Sequence, residues 1–289
     1  MTTIVTLLRS NRLNTELRTA LRHGLDARGR ISLVCVANWS AVEETLAQRP
    51  VAAVVFDLSH PGLGSMERVV GSIEGHPVTE FVLYVGGFGR VSPQDIVEVA
   101  RAGVRHSLSP VGDDGETRFR DVLDEAIASA ADERLLQTLA TRLEPGQLEI
   151  LRLIMRHTPG VARVQDLAGR LNMSTRTLER YASDEGLPPP SHLLSWIHLY
   201  HVTRRVLVDG ATVNRAIRGT AFSSAFAFRR ALQRVTGRTL TDLRHLSGPG
   251  PLARAFAAAF SRGPIQLALG LPSTVDPGTS SVHSSGFRS

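Results

Sequence analysis

LAGRLNMSTRTLERYA, residues 167–182, is the segment from which the fold of the second half of the chain can be predicted. Leu167 and Ala168 are apolar neighbours in a helical pattern, and Asn172 is a residue type that tolerates the left-handed conformation of a tight turn. Ser174 is a preferred residue at a helix N-cap. The pattern predicts two helices joined by a tight turn, the helix-turn-helix motif.

The second helix of this motif has an apolar side and a polar side. Leu178 and Tyr181 fall on the side that we expect to be buried. A helix that enters the major groove of DNA needs arginine and polar side chains near its amino-terminal half, where base edges and phosphates lie. The outer side supplies them, and the candidate DNA-binding residues are Thr175, Arg176 and Arg180.

A second motif of the same kind spans residues 213–232, with its turn at 219–221. Its second helix should bury Phe228 and Leu232. The helix predicted between the motifs, residues 191–209, would be about 28 Å long, close to the roughly 34 Å that separates successive major-groove faces. The exposed candidates for DNA contact in this motif are Ser224, Arg229 and Arg230.

These residues and their spacing make residues 147–244 similar to the DNA-binding domain of the AraC/XylS family of bacterial transcription regulators. The matching positions are Leu167, Ala168, Ser174, Leu178, Arg180, Phe222, Phe228, Arg230, Gly237, Leu243 and Arg244. The resemblance implies a helical domain in which a linker helix joins two helix-turn-helix units and which binds promoters. It also implies recognition roles for Arg176, Arg180, Arg229 and Arg230.

The chain departs from the family pattern at four places. It has Ala216-Ile217 where the family usually has Ile-Ala, Ala221 where it has glycine, His198 where it has arginine, and Leu240 where it has proline. A bulky side chain at a close helix contact and a Cβ in a tight turn should cost about 1 kcal/mol unless the helices shift. Most of the departures concern the second motif, so the recognition roles rest more firmly on the first.

The first half of the chain alternates short apolar runs with helical patterns. The predicted strands are residues 4–8, 31–37, 51–56, 81–85 and 104–108. The predicted helices between and after them are residues 11–23, 41–48, 64–72, 93–102 and 113–131. Such strands are typical of a parallel sheet covered on both faces. The predicted fold is therefore a doubly wound, flavodoxin-like α/β domain with a five-stranded parallel sheet, followed by an all-α domain with two helix-turn-helix motifs.

The sequence DLSHPG at residues 57–62, which follows the third predicted strand, makes this half similar to a response-regulator receiver domain. In that family the aspartate at this place accepts a phosphoryl group, and an acidic pair after the first strand holds magnesium. Here residues 8–10 read Leu-Arg-Ser, Gly86 falls where the family has a hydroxyl, and Ser109 replaces its lysine. The resemblance implies a degenerate receiver with Asp57 at the phosphoacceptor position. A phosphorylatable receiver and an unrelated small-molecule domain are the alternatives.

Three further predictions concern single side chains. Arg9 stands where the metal would be, and we hypothesise that it pairs with Asp57. Cys35 lies in an apolar run and is predicted to be a buried, inert thiol. His198 and His201 lie three residues apart but lack the dense ligand set of a metal site, so neither a metal nor a cofactor is predicted.

The composition excludes several chemistries. All 33 basic residues are arginine, so a P-loop lysine and a Schiff-base lysine are both impossible, and we predict that the chain is not an enzyme. Residues 1–145 hold 15 Arg and 19 acidic residues, a net charge of −4. Residues 146–289 hold 18 Arg and 8 acidic residues, a net charge of +10. This asymmetry favours a polyanionic partner for the second half.

The sequence divides into four predicted segments. They are a receiver-like α/β domain at 1–130, a linker helix at 131–146, an AraC-type DNA-binding domain at 147–246, and a largely disordered tail at 247–289. One short helix is predicted in the tail near 252–260, and a nascent helix without function is the favoured interpretation.

Together these patterns predict a cytoplasmic, nucleoid-associated transcription regulator that binds double-stranded promoter DNA as a homodimer and acts without phosphorylation. The first domain would dimerise or contact RNA polymerase or another partner protein, and no membrane association is expected. One alternative is a protein-interaction module with weak, non-specific DNA binding. Another is a phosphorylation-dependent response regulator that uses Asp57.

Overall fold

The computed structural model of the chain describes residues 2–21, 31–86, 91–109, 115–244 and 249–260. In the first half of the chain, strands and helices alternate. The strands are β1 (Thr2–Leu7), β2 (Ile31–Cys35), β3 (Val51–Asp57), β4 (Glu80–Tyr84) and β5 (His106–Leu108). The helices that follow them are α1 (Asn11–Ala20), α2 (Trp39–Gln48), α3 (Met66–Gly75), α4 (Pro93–Arg101) and α5 (Gly115–Leu139).

The described strands form a five-stranded sheet in the order β2-β1-β3-β4-β5, and every neighbouring pair is parallel. This is the flavodoxin-like order of a doubly wound sheet. The central strands β1, β3 and β4 are buried along their whole length, because helices cover both faces of the sheet. The predicted fold class is confirmed.

The two faces of the sheet use alternate residues of the same strands. Ile4 and Val55 point towards α1 and α5, whereas Val5 and Phe56 point towards α2, α3 and α4. Strand β2 lies at the edge of the sheet, and Cys35 at its end is exposed. The prediction of a buried thiol was therefore wrong, since an apolar run at a sheet edge lacks the second neighbour that would cover it.

The second half of the chain is helical in the part that the structure describes. Its helices are α6 (Pro145–His157), α7 (Val164–Arg170), α8 (Thr175–Asp184), α9 (Pro190–Leu207), α10 (Val213–Ala216), α11 (Ala225–Thr236), α12 (Leu240–Arg244) and α13 (Pro249–Phe260). Helix α9 is buried on nearly all sides and forms the centre of this core. Among the described helices, none is both long and apolar enough to cross a membrane.

Helix α5 connects the two halves. It packs on the sheet through Leu123 and on the helical core through Leu135, so the boundary predicted at residue 130 falls inside one continuous helix. The hydroxyl of Tyr200 on α9 donates to the carbonyl oxygen of Ala131 at 2.8 Å. His201 Nε2 lies 3.0 Å from Asp132 Oδ1. Helices α5 and α9 are thus joined by polar contacts as well as by packing.

Helix α13 differs from the nascent helix favoured by the sequence. Its Leu252, Ala253 and Phe256 are fully buried, and it packs along α5. Aromatic packing explains the burial of this helix, because Phe256 meets the rings of Trp196 and Tyr200 edge-on at centroid distances of 6.1 and 5.3 Å. The rest of the predicted disordered tail, residues 247–248 and 261–289, lies outside the described residues.

Candidate nucleic-acid interface

The first helix-turn-helix motif is formed by α7 and α8. Leu167 and Ala168 on α7 are buried. The turn passes through Asn172 with a φ of 53°, the one left-handed position that the described residues show outside glycine. Asparagine tolerates this conformation better than other residues with a Cβ, which explains its place in the turn.

Helix α8 begins at the cap that the sequence predicted. The Ser174 hydroxyl oxygen accepts a hydrogen bond from the backbone N–H of Thr177 at 3.1 Å, and Leu178 is buried behind the helix. The candidates Arg176 and Arg180 are exposed, while Thr175 is half-buried at the start of the helix.

Tyr181 was predicted to be buried, and this prediction was wrong. It is 48% exposed and carries the Arg180 guanidinium 6.0 Å from its ring centroid. Ala182, one residue further on, is buried in its place. The buried face of α8 is thus Leu178 and Ala182, four residues apart, and Tyr181 lies on its margin.

The second motif is formed by α10 and α11. Helix α10 is only four residues long and ends before Gly219, whose φ of 73° makes the turn. The Ser224 hydroxyl oxygen accepts a hydrogen bond from the N–H of Ala227 at 3.1 Å, so Ser224 caps α11. Phe228 and Leu232 are fully buried, as predicted.

Two departures from the family pattern meet in the structure. The backbone N–H of Ala221, in the turn of the second motif, donates to Nδ1 of His198 on α9 at 3.2 Å. Ile217, the other bulky departure, is only partly buried against the helical core. The histidine on the central helix therefore holds the turn of the second motif through its backbone.

We expect this contact to make stability depend on pH. Burial, with smaller effects of His201 and Arg205, lowers the pKa of His198 to about 4. The unfolded chain has a histidine pKa near 6.5, so it takes up the proton first, and stability falls as the pH drops from about 6.5 to about 4. Urea unfolding of the wild type and of His198→Gln across this range measures the effect. Glutamine offers an acceptor that does not titrate, and an equal pH dependence of both proteins would contradict the prediction.

The outer faces of the two motifs are rich in arginine. Arg229 and Arg230 on α11 are exposed, as Arg176 and Arg180 are on α8. Within the described part of the chain, none of the four forms an ion pair with an acidic side chain. Unpaired guanidinium groups on a helix surface are free to bind phosphate oxygens or guanine edges.

One side chain on this surface was not predicted from the sequence. Phe226, the second residue of α11, is 74% exposed. The sequence spacing could have shown this exposure, because Phe226 precedes Arg229 and Arg230 by three and four residues and therefore shares their face of the helix. The exposed position was not predicted because a phenylalanine in a helical pattern is usually assigned to the core.

The predicted phosphoacceptor position lies at the end of β3. Asp57 is buried, and its Oδ1 accepts hydrogen bonds from the N–H and the hydroxyl of Ser59 at 2.8 and 2.7 Å. Leu8 is buried, Arg9 is exposed, and the Ser10 hydroxyl caps α1. No ion pair joins Arg9 to Asp57 among the described residues, so the hypothesis of that pair finds no support.

Two helix-turn-helix motifs behind a doubly wound, receiver-like α/β domain define a class, the DNA-binding helix-turn-helix regulators. Residues 167–245, about a quarter of the chain, match the family model described as "Helix-turn-helix domain". This segment is a helix-turn-helix domain, as the sequence indicated. A comparison with curated proteins gave no match.

A comparison with solved structures returned response regulators, including one from Salmonella typhimurium and one from B. japonicum. The RcsB response regulator of Salmonella typhimurium is 17% identical over 68% of this chain and 98% of that one, with a TM-score of 0.34. FixJ from B. japonicum is 16% identical over 66% of this chain and 95% of that one, also with a TM-score of 0.34. Likenesses of this size carry no conclusion about function.

Proposed function

We propose that the chain is a sequence-specific transcription regulator of the AraC type that binds promoter DNA as a homodimer through α8 and α11. One observation carries the proposal: two helices, each capped by a serine, present exposed arginines that form no ion pair with any described residue, beside a shared central helix. The arginines would bind phosphates, which position the protein, and base edges, which give specificity.

The deciding experiment is genome-wide immunoprecipitation of the tagged full chain, followed by salt titration of the best duplex. Sharp peaks at a few promoters that share a two-part sequence motif are the expected result. Diffuse binding that falls steeply with salt and does not distinguish promoter from random duplex would overturn the proposal and favour the protein-interaction module. Light scattering of the purified chain tests the homodimer.

We also propose that the first domain acts without phosphorylation at Asp57. The chemistry needs a divalent cation to neutralise the incoming phosphoryl charge. The loop after β1 offers Leu8, Arg9 and Ser10, none of which has a carboxylate. The Asp57 carboxylate is already hydrogen-bonded to Ser59.

Phosphorylation can be tested directly with a small-molecule donor. We expect the intact mass of the chain to stay unchanged after incubation with acetyl phosphate and magnesium. An Asp57→Asn variant is the control, because it removes the only carboxylate in question with little change in size. A phosphoryl adduct that the wild type forms and Asp57→Asn does not would favour the phosphorylation-dependent alternative.

A further inference from the structure

Phe226 is an exposed aromatic side chain on an otherwise basic helix face. Helix α11 buries Phe228, Ala231 and Leu232 and turns its other side to solvent. Phe226, Arg229, Arg230 and Gln233 follow the spacing i, i+3, i+4, i+7, so they form one continuous outer face. The helix contains no acidic residue.

The two recognition helices can be aligned through their caps. Ser174 and Ser224 each accept a hydrogen bond, at 3.1 Å, from the backbone N–H three residues further on. Counted from these caps, the buried Leu178 corresponds to the buried Phe228. The same count pairs the exposed Arg180 with Arg230 and the exposed Arg176 with Phe226.

Phe226 therefore occupies, on α11, the position that Arg176 occupies on α8. The position is in the first turn of the helix, the part that reaches the bases when a recognition helix enters the major groove. In the major groove, arginine and phenylalanine favour contact with different bases. Arginine binds the O6 and N7 acceptors of guanine, whereas an apolar side chain contacts the C5-methyl group of thymine.

We propose that Phe226 contacts the methyl group of a thymine, so that α11 selects thymine at the place where α8 selects guanine through Arg176. This inference rests on the proposed function, because it needs α11 in the major groove. The flanking Arg229 and Arg230 make a polyanion the occupant of this face, and the thymine methyl group would contact a ring that is 74% exposed in the protein alone.

The test uses the full chain and duplexes that it selects from a random-sequence pool. Each thymine of the preferred duplex is replaced in turn by deoxyuridine, which lacks only the methyl group. The wild type should lose affinity by about fourfold at one thymine, the loss expected from uncovering one methyl group. Phe226→Ala should bind the thymine and deoxyuridine duplexes equally at that position.

Two further variants sharpen the result. Phe226→Arg gives α11 the side chain that α8 has at this position, and the preferred base there should change from thymine to guanine. Leu153→Ala, which truncates a 37% exposed side chain on α6, should keep the wild-type sensitivity to deoxyuridine.

The outcomes separate this inference from the proposed function. If the chain selects a sequence but no thymine is sensitive to deoxyuridine, or if Phe226→Ala keeps that sensitivity, the thymine contact is wrong and the regulator proposal stands. If the chain selects no sequence at all, both are overturned.

Discussion

Phe256→Ala should lower the free energy of unfolding by about 3 to 5 kcal/mol, the usual cost of removing a buried aromatic ring. Phe256 is fully buried, and its ring meets the rings of Trp196 and Tyr200. Truncation leaves a cavity where α13 packs on α9, and the surrounding helices can fill it only in part. Urea unfolding followed by tryptophan fluorescence measures the change, because Trp196 reports on the cavity itself.

Phe226→Ala is the matched control for this prediction. It removes the same side chain from a position that is 74% exposed, so stability should change by less than about 0.5 kcal/mol. Phe256→Leu keeps an apolar side chain in the core, so its loss in free energy of unfolding should lie between those of Phe256→Ala and Phe226→Ala. If Phe256→Ala unfolded at the same urea concentration as Phe226→Ala, α13 would not be part of the core.

The packing of α13 shows why its role was missed in the sequence. The segment reads PGPLARAFAAAF, which indicates a helix by its alanines but gives no sign of what the helix meets. Its partners Trp196 and Tyr200 lie more than fifty residues earlier in the chain. Burial of a short helix depends on such long-range contacts, which neither propensity nor periodicity contains.

The sheet was predictable for the opposite reason. Its strands are continuous apolar runs, and burial on both faces requires only that helices lie between them, which local patterns show. The apolar runs do not show the order of the strands in the sheet. The place of β2 at the sheet edge follows from the pairing of β1 with β3, and the exposure of Cys35 follows from that edge.

The candidate interface was predicted where capping and turn chemistry determine it. Ser174, Ser224 and Asn172 have the roles that their residue types favour, and these residues fix where α8 and α11 begin. Which side chains of these helices are exposed was harder to predict. Tyr181 and Phe226 are aromatic residues on helices and were assigned to the core or passed over, because their exposure depends on the exact rotation of each helix.

Arg176→Ala should weaken binding to the preferred duplex by about 5- to 150-fold, corresponding to about 1 to 3 kcal/mol for a good base contact, and Arg180→Ala should weaken it by the loss of a phosphate contact. Both side chains are exposed and neither forms an ion pair in the described residues, so truncation should leave folding unchanged. Fluorescence anisotropy across a salt series measures the affinity, and thermal unfolding checks the fold.

The salt series distinguishes the roles of the two arginines. Loss of a phosphate contact lowers the slope of log affinity against log salt by about one and weakens all sequences alike. Loss of a base contact leaves most of that slope unchanged and relaxes the preference at one base position. The first turn of α8 places Arg176 nearer the bases, so we expect the base effect for Arg176→Ala and a larger phosphate effect for Arg180→Ala.

Arg254→Ala provides the control for the loss of one positive charge. Arg254 is exposed on α13, outside both motifs, and its removal should reduce affinity much less than either change on α8. If Arg176→Ala and Arg180→Ala both bound the preferred duplex as tightly as Arg254→Ala, α8 would not be a recognition helix. The exposed arginines would then be only solvated surface, and the basic charge of the second half would not by itself indicate where DNA binds.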